Sequence, residues 1–355
     1  MIEFRTMNSG KKRILILGAN GFIGSSLVWK LLKETDYEIT GVDLSDNKLG
    51  CVLGRERFEF FKMDAIKNKA DIEEAVKNSD VVLPLIAVAT PALYVKDPVR
   101  VYNLDFESNV DVIRMCLKHK KRVVFPSTSE VYGMCPDEAF DEYSSTLVLG
   151  PIEKERWIYS CIKQMLDRLI WAYGNHEGLQ FTLFRPFNFI GPRLDDIRAT
   201  KEGSSRVITQ FAHNILNGKP IKLVNGGLQK RCFTYIDDGV ECIVKIIQNK
   251  DGCADGRIFN IGNPDEEHSV KELAEVLVES FRQYPDYAAL AEKTVIETVS
   301  GDDYYGAGYQ DAQRRVPSIG QAKNILGWTP KTDFKTSIKK ILDYHLLGKD
   351  DEACL

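Results

Sequence analysis

No run of about 18 apolar residues occurs in this 355-residue chain, so no segment reads as a membrane-spanning helix. Met1 to Lys12 contains no apolar stretch, so a secretory signal is not expected there and a cytoplasmic location is. The eight cysteines are scattered at 51, 116, 135, 161, 232, 242, 253 and 354 without a Cys-x-x-Cys pair, and the five histidines are equally dispersed. Neither a disulfide frame nor a structural metal is therefore expected. Positive charge is not in excess: the net charge of −4 gives no reason to expect nucleic acid or an acidic membrane surface as a partner. Internal repeats and low-complexity segments are also missing. What these absences leave is a soluble globular protein of one large domain, or two closely packed ones.

What is present begins with a short strand, Arg13 to Leu17, apolar after its first residue as a buried parallel strand is. Gly18-Ala19-Asn20-Gly21-Phe22-Ile23-Gly24 follows, and Ser25 to Lys33 has helical periodicity. Strand, glycine turn and helix in that order let the backbone approach a pyrophosphate seated at a helix N-terminus. The next strand, Glu38 to Val42, ends in Asp43, where a carboxylate accepts from a ribose 2′-hydroxyl and repels a 2′-phosphate. NAD is thus expected over NADP. Phe58 to Met63 reads as a strand ending at Asp64-Ala65, suited to an adenine edge. Asp80 to Ala87 reads as another, ending at Ala89-Thr90-Pro91. A helix over Asn109 to Lys118 and a strand over Arg122 to Phe125 deliver Ser127 to Glu130. Alternating strands and helices predict an α/β fold with a doubly wound parallel sheet, its ligands at the carboxyl ends of the strands.

Trp157 to Ile170 opens a long helical pattern in which Tyr159 and Lys163, four apart, share one face. An ammonium beside a phenol favours the phenolate, which predicts that Lys163 lowers the Tyr159 pKa toward the range of a general base. Phe181 to Phe184 is one more strand, followed by Arg185-Pro186-Phe187-Asn188. Gly203-Ser204-Ser205-Arg206 precedes a helix to Asn217, and Pro220 to Val224 is a strand. The turn from Asn225 to Gln229 ends in Lys230-Arg231, two cations suited to a diphosphate. Helices are expected over Gly239 to Asn249 and His268 to Arg282, and a Gly/Tyr-rich loop over Tyr304 to Gln313 leads to Arg314-Arg315. With no clean linker, the expected division is a dinucleotide-binding domain of 11–185 plus 232–262, interleaved with a smaller substrate domain of 186–231 plus 263–346. Residues 1–10 and 347–355 are expected as loose termini.

The glycine turn, the Ser/Thr-rich strand end and Tyr-x-x-x-Lys resemble the extended short-chain dehydrogenase/reductase family. A narrower resemblance rests on Leu83-Pro84-Leu85-Ile86-Ala87-Val88-Ala89-Thr90-Pro91, on Pro126-Ser127-Thr128-Ser129-Glu130-Val131-Tyr132-Gly133-Met134-Cys135, and on Arg156-Trp157-Ile158-Tyr159-Ser160. Gly203-Ser204-Ser205-Arg206 and Gly306-Ala307-Gly308-Tyr309-Gln310-Asp311 belong with them. Over about 12–345 these resemble the UDP-glucuronic acid oxidative decarboxylases of the lipid A aminoarabinose pathway, the bifunctional polymyxin-resistance type. This chain has no room for that type's N-terminal formyltransferase domain.

The resemblance implies that Tyr159 takes the proton of the sugar 4-hydroxyl as C4 hydride passes to NAD, with Lys163 holding the nicotinamide ribose. Thr128 and Ser129 would contact the substrate, Glu130 would be an acid/base residue, and Arg315 would serve protonation after CO2 leaves. The implied cofactor set is Gly18, Asn20, Gly21, Phe22, Ile23, Gly24, Asp43, Asp64, Ala65, Leu85, Thr90, Tyr159 and Lys163. The implied UDP-sugar set is Ala89, Tyr94, Thr128, Ser129, Arg156, Asn188, Arg206, Lys222, Arg231 and Tyr309. A homodimer paired through the helices at Asn109 and Tyr159 is the corresponding expectation. Release of NADH would make UDP-4-keto-pentose; return of the hydride would make UDP-xylose. A UDP-apiose/xylose synthase, which the chain also resembles, stays open through Cys161. A 4-epimerase or 4,6-dehydratase needs no Glu130 with Arg315, and a non-catalytic NAD-binding regulator does not need the Tyr159–Lys163 pair present here.

Overall fold

Ile14, Leu15, Ile16 and Leu17 are all buried, which places strand β1 (Arg13–Leu17) inside a sheet rather than at its edge. This is a computed structural model describing residues 10–88, 90–199, 205–305 and 310–348. β2 (Glu38–Asp43), β3 (Phe58–Lys62), β4 (Val81–Pro84), β5 (Arg122–Pro126), β6 (Phe181–Pro186) and β7 (Arg257–Ile261) join β1 in one seven-stranded sheet. The order is β7-β6-β5-β4-β1-β2-β3, every neighbouring pair parallel. Strand order therefore reverses between β1 and β4, and the crevice at their carboxyl ends is the ligand position of a doubly wound sheet.

Both faces are covered, as parallel sheets require. On one face Ile14, Phe184 and Phe259 pack in an apolar core that runs on through Ile236 and Val240 to Leu273, Trp328 and Ile341. On the other, Leu15, Leu17, Val82 and Phe125 pack against Ile162 and Leu166. Each such buried side chain contributes on the order of 1.5–3 kcal/mol. Beyond this sheet, the described residues form three small strand pairs. Phe189–Ile190 pairs with Thr234–Tyr235, Ile221–Val224 with Ile296–Val299, and Lys230–Cys232 with Glu267–Ser269.

The structure corrects several expected elements. The strand expected over Asp80 to Ala87 ends at Pro84; Leu85 still donates its N–H to the Leu17 carbonyl (2.7 Å), and beyond it the chain leaves the sheet. The helix expected from Ser25 begins at Phe22, with Gly21 as its N-cap. β7 has no forecast in the sequence reading, since Asn260 breaks its apolar run. Asn260 is nonetheless buried, accepting from the Tyr132 hydroxyl (2.8 Å) and donating to the Phe140 carbonyl (2.8 Å). Helices Lys69–Lys77, Pro285–Glu292 and Phe334–Leu347 were likewise not legible. Ala89, Gly203, Ser204 and Gly306 to Tyr309 lie outside the described residues, as do most of the expected loose termini.

A buried carboxylate in this frame sets a pH dependence. Glu142 Oε1 accepts from the Asn260 N–H (2.8 Å), while Oε2 is buried with no hydrogen-bond partner among the described residues. Burial pushes the carboxyl from 4.5 up to about 7. Between those values the folded protein binds the proton and the unfolded chain does not, so this group's stabilisation is full at low pH and lost as pH rises through about 7. Glu142→Gln is expected to be more stable than the parent by about 3 kcal/mol at pH 8 and nearly equal to it at pH 4.5, by urea denaturation.

Candidate active site

The glycine turn leaves β1 where Gly18 has φ +91 and donates its N–H to the Val42 carbonyl at 2.8 Å. A Cβ on Gly18 would lie 3.1 Å from the Leu85 carbonyl, and one on Gly24 would collide with the Gly18 carbonyl oxygen. Helix α1 (Phe22–Glu34) starts on Gly21 with no side-chain cap on its first N–H groups. The uncapped N-terminus of α1 and its dipole therefore lie at the glycine turn, which fits a pyrophosphate. Asp43, at the end of β2, accepts the Asn20 N–H on Oδ2 (2.9 Å) and the Leu44 N–H on Oδ1 (2.7 Å). Its carboxylate is thereby held facing the turn, with lone pairs left for a ribose diol. The Asn20 side chain is committed to the protein, donating to Ser45 (2.8 Å) and Asn47 (2.7 Å) and accepting from the Lys48 N–H (2.7 Å). Asp64 accepts the Ile66 N–H (3.0 Å) at the end of β3, and Thr90 is the N-cap of a helix over Pro91–Lys96. Gly24→Val is expected to weaken NAD affinity at least about tenfold and lower the melting temperature, read by NAD titration and thermal melts.

Helix α4 (Ile158–Glu177), following α2 (Lys69–Lys77) and α3 (Ser108–Lys118), carries Tyr159 and Lys163 on its buried face. Tyr159 stacks on Tyr94, ring centroids 4.6 Å apart and planes within 7°. Lys163 Nζ is fully buried, donates to the Pro126 carbonyl (2.8 Å) and lies over the Phe125 ring. An ammonium has three donors, so capacity remains for ribose hydroxyls. The expectation that Lys163 lowers the phenol pKa is corrected. Burial, followed by the Asp105 and Glu130 charges, pushes Tyr159 above its usual range, while the Thr128 hydrogen bond and Arg206 oppose this. Desolvation of the phenolate outweighs the help available from the protein's own cations.

Ser129 opens a short turn, Ser129–Tyr132, that presents Glu130 at the end of β5. The Glu130 carboxylate accepts from both Arg156 and Arg315. Asp311 ties these to a third guanidinium, Oδ1 accepting from Arg156 (3.2 Å) and Arg315 (2.6 Å) and Oδ2 from Arg231 (2.6 Å). Burial raises the Glu130 pKa, but Arg156 and Arg315 outweigh it and hold the carboxyl at about 2. The same carboxylates raise Arg315 further against the cost of its burial. Three guanidiniums against two carboxylates leave the cluster net positive. It forms one wall of a cavity of about 220 Å³, also lined by Asn188, Arg206 and Lys222. Asn188 sits there at φ +39, and Arg206 is paired with Asp195.

The structure thus brings Glu130, Arg156, Asn188, Arg206, Lys222, Arg231 and Arg315 to one cavity, with Tyr94, Thr128, Ser129, Tyr159 and Lys163 gathered at the ends of β4 and β5. Lys230, paired with Arg231 in the sequence reading, is exposed and starts a strand instead. Ala89 and Tyr309 lie outside the described residues. Two carboxylates near the site were given no role in the sequence reading. Asp311 lies four residues before Arg315, but its links to Arg156 and Arg231 exist only in the fold. Asp105, fully buried beside the Tyr159–Lys163 pair, left no signal beyond its polarity.

Residues 14–262 match the family model described as the NAD dependent epimerase/dehydratase family. The crystal structure of the PbgP3 protein from Burkholderia pseudomallei is 49% identical, with a TM-score of 0.85, covering 94% of this chain and 96% of that one. UDP-glucuronic acid 4-epimerase from Bacillus cereus, solved with UDP-glucuronic acid and NAD, is 22% identical with a TM-score of 0.78, covering 95% of this chain and 100% of that one. dTDP-glucose 4,6-dehydratase from Bacillus anthracis, solved with NAD, is 22% identical with a TM-score of 0.75, covering 96% and 98%. With the family model spanning more than half of the chain and the 49% identical structure covering nearly all of it, this protein is an enzyme of the NAD-dependent epimerase/dehydratase family of short-chain dehydrogenase/reductases, with NAD as its cofactor.

Proposed function

We propose that this enzyme carries out the oxidative decarboxylation of UDP-glucuronic acid at C4, giving UDP-4-keto-pentose, NADH and CO2. The observation that carries this reading is Glu130 held between Arg156 and Arg315 in the cavity beside Tyr159. A 4-epimerase or 4,6-dehydratase has no use for that arrangement, whereas a sugar carrying a carboxylate that must depart does.

When bound, NAD would supply the hydride acceptor, and its positively charged nicotinamide ring would favour phenolate. Tyr159 removes the 4-hydroxyl proton, with Thr128 as its hydrogen-bond partner. Ketone formation at C4 makes the C5 carboxylate a β-keto acid, and loss of CO2 places charge on the C4 oxygen, where the Tyr159 hydroxyl donates. Glu130, ionised at about 2, has no proton to give near neutrality. We assign it the repulsion and orientation of the substrate carboxylate. Arg315 stays charged, so it binds an anion or orients the water that protonates C5. Arg231, Lys222 and Arg206 are assigned to the diphosphate. The exposed Met165 and Trp171 on α4 fit a homodimer through α3 and α4, which light scattering at micromolar concentration tests.

The test is to mix the protein with NAD and UDP-glucuronic acid and follow NADH absorbance and CO2 together. Equal yields of both are expected. CO2 without NADH would mean hydride return to UDP-xylose or a ring-contracted pentose, and neither signal would sink the substrate assignment.

A further inference from the structure

Glu130 and Arg315 meet in the cavity although 185 residues separate them, and one buried amide is tied to both of their segments. Asn260, on β7, has no exposed surface. Its Oδ1 accepts from the Tyr132 hydroxyl (2.8 Å), and that hydroxyl accepts from Arg185 Nη1 (2.9 Å). A guanidinium only donates, so the Tyr132 proton goes to Asn260 and the orientation of the amide is fixed. Nδ2 then donates to the carbonyls of Phe140 (2.8 Å) and Ser318 (3.1 Å). The Asn260 backbone N–H is engaged as well, donating to Glu142 (2.8 Å).

These contacts lead to both halves of the pair. Tyr132 closes the turn Ser129–Tyr132 that presents Glu130. The Phe140 N–H donates to the Val316 carbonyl (2.7 Å), and the Ser318 N–H donates to the Phe140 carbonyl (2.8 Å), so Phe140 lies alongside the residues that directly follow Arg315. β7 presses on that segment a second time just beyond its end, at Gly262, where a Cβ would lie 2.6 Å from Pro317 Cγ. An aspartate at 260 has the same length but no N–H for the two carbonyls.

We propose that Asn260 is a positioning residue for the Glu130–Arg315 pair. Its oxygen fixes the turn that carries Glu130, its two N–H groups fix the segment that follows Arg315, and the two charged groups are thereby held in register with each other. Such groups act on bond breaking only when held to within a fraction of an ångström. The step concerned is the second one: the C5–C6 bond breaks, CO2 leaves, the electron pair passes to the C4 oxygen, and C5 takes a proton from water. Hydride transfer is served from elsewhere, by Tyr159 on α4 and the cofactor crevice. Loosening the amide therefore slows the second step and spares the first. A merely structural role lowers both together.

The inference rests on the substrate reading above, and it is tested on NAD-loaded enzyme with UDP-glucuronic acid. Tyr132→Phe removes the hydroxyl alone. Its ring stays packed on Phe140 and Phe187 (centroids 4.8 and 6.1 Å), and Gln164 still holds the turn by donating to the Val131 carbonyl (2.7 Å). Gly262→Ala pushes on Pro317 from the Arg315 side. Quenching with borodeuteride labels every 4-ketone, and the labelled six-carbon and five-carbon UDP-sugars are counted by mass. Each variant is expected to form NADH at nearly the parent rate while CO2 loss slows about tenfold or more, so that the six-carbon keto acid accumulates. Asn260→Ala is expected to show the largest shift, and adding Tyr132→Phe to it no further one, since the two share one bond. A product ratio like the parent's in folded variants, or NADH and CO2 falling together, overturns the proposal; should Asn260→Ala not fold, the other two variants decide. A second readout needs no substrate. The Arg315 Nε–H is buried with no hydrogen-bond partner among the described residues. Its nitrogen resonance, assigned by its loss in Arg315→Met, is expected to shift in Tyr132→Phe, and an unmoved resonance overturns the proposal. A shifted resonance with no turnover of UDP-glucuronic acid would sink the substrate reading and leave Asn260 standing. Turnover with an unmoved product ratio does the opposite.

Discussion

Glu130→Gln is expected to cut CO2 release from UDP-glucuronic acid by about 100-fold or more, with NAD affinity unchanged. The substitution keeps the shape and removes the charge. In the parent, Glu130 receives a hydrogen bond from Arg156 and another from Arg315, and Asp311 neutralises the same guanidiniums from the other side. Without the Glu130 charge, three arginines face one carboxylate. The substrate carboxylate then binds more tightly in the ground state, which opposes the step in which its charge must leave. The signature is a fall in kcat with KM unchanged or lower. Arg315→Met removes the other half of the pair and is expected to lose CO2 release too, with KM raised. Breaking a buried pair typically costs 3–5 kcal/mol, on the order of half of a domain's stability, so thermal melts accompany the kinetics. Parent-like CO2 release from either variant, once shown to be folded, would remove that residue from the mechanism.

Tyr159→Phe is expected to reduce NADH formation by about 10²–10⁴-fold, the usual worth of a positioned general base. Phenylalanine preserves the stack on Tyr94 and the burial, losing only the hydroxyl and its bond to Thr128. The melting temperature is expected to stay within a few degrees of the parent, about 1 kcal/mol of hydrogen bond being at stake. Because burial raises the phenol, parent turnover should climb with pH through the neutral range, and that climb should vanish in the variant. A pH-dependent rise that survives in Tyr159→Phe would assign the base elsewhere.

Continuous apolar runs and the 3.6-residue period carried the sheet and its main helices because burial leaves a mark in local sequence. β1, β2, β5 and β6 lie within a residue or two of expectation for that reason. β7 did not, because its Asn260 is satisfied by Tyr132 and Phe140, partners more than a hundred residues away. The succession of strand, glycine turn and helix was legible as well. Gly18 and Gly24 exclude a Cβ for steric reasons within a few residues of each other, and Asp43 follows at a set distance along the chain.

What the sequence by itself determined was the run of strands from β1 to β6, the glycine turn, and the Tyr159–Lys163 pair on one helical face. Those properties depend on neighbours in the chain. The protonation preferences of the site were decided only by the tertiary structure. Lys163 reads as the group that acidifies Tyr159, yet folding buries the phenol, aims Lys163 at Pro126 and brings Asp105 in from a distant helix. Asp311 gains its meaning only when Arg156, Arg231 and Arg315 converge on it. Charges interact through space and solvent exclusion, and neither is a function of position along the chain.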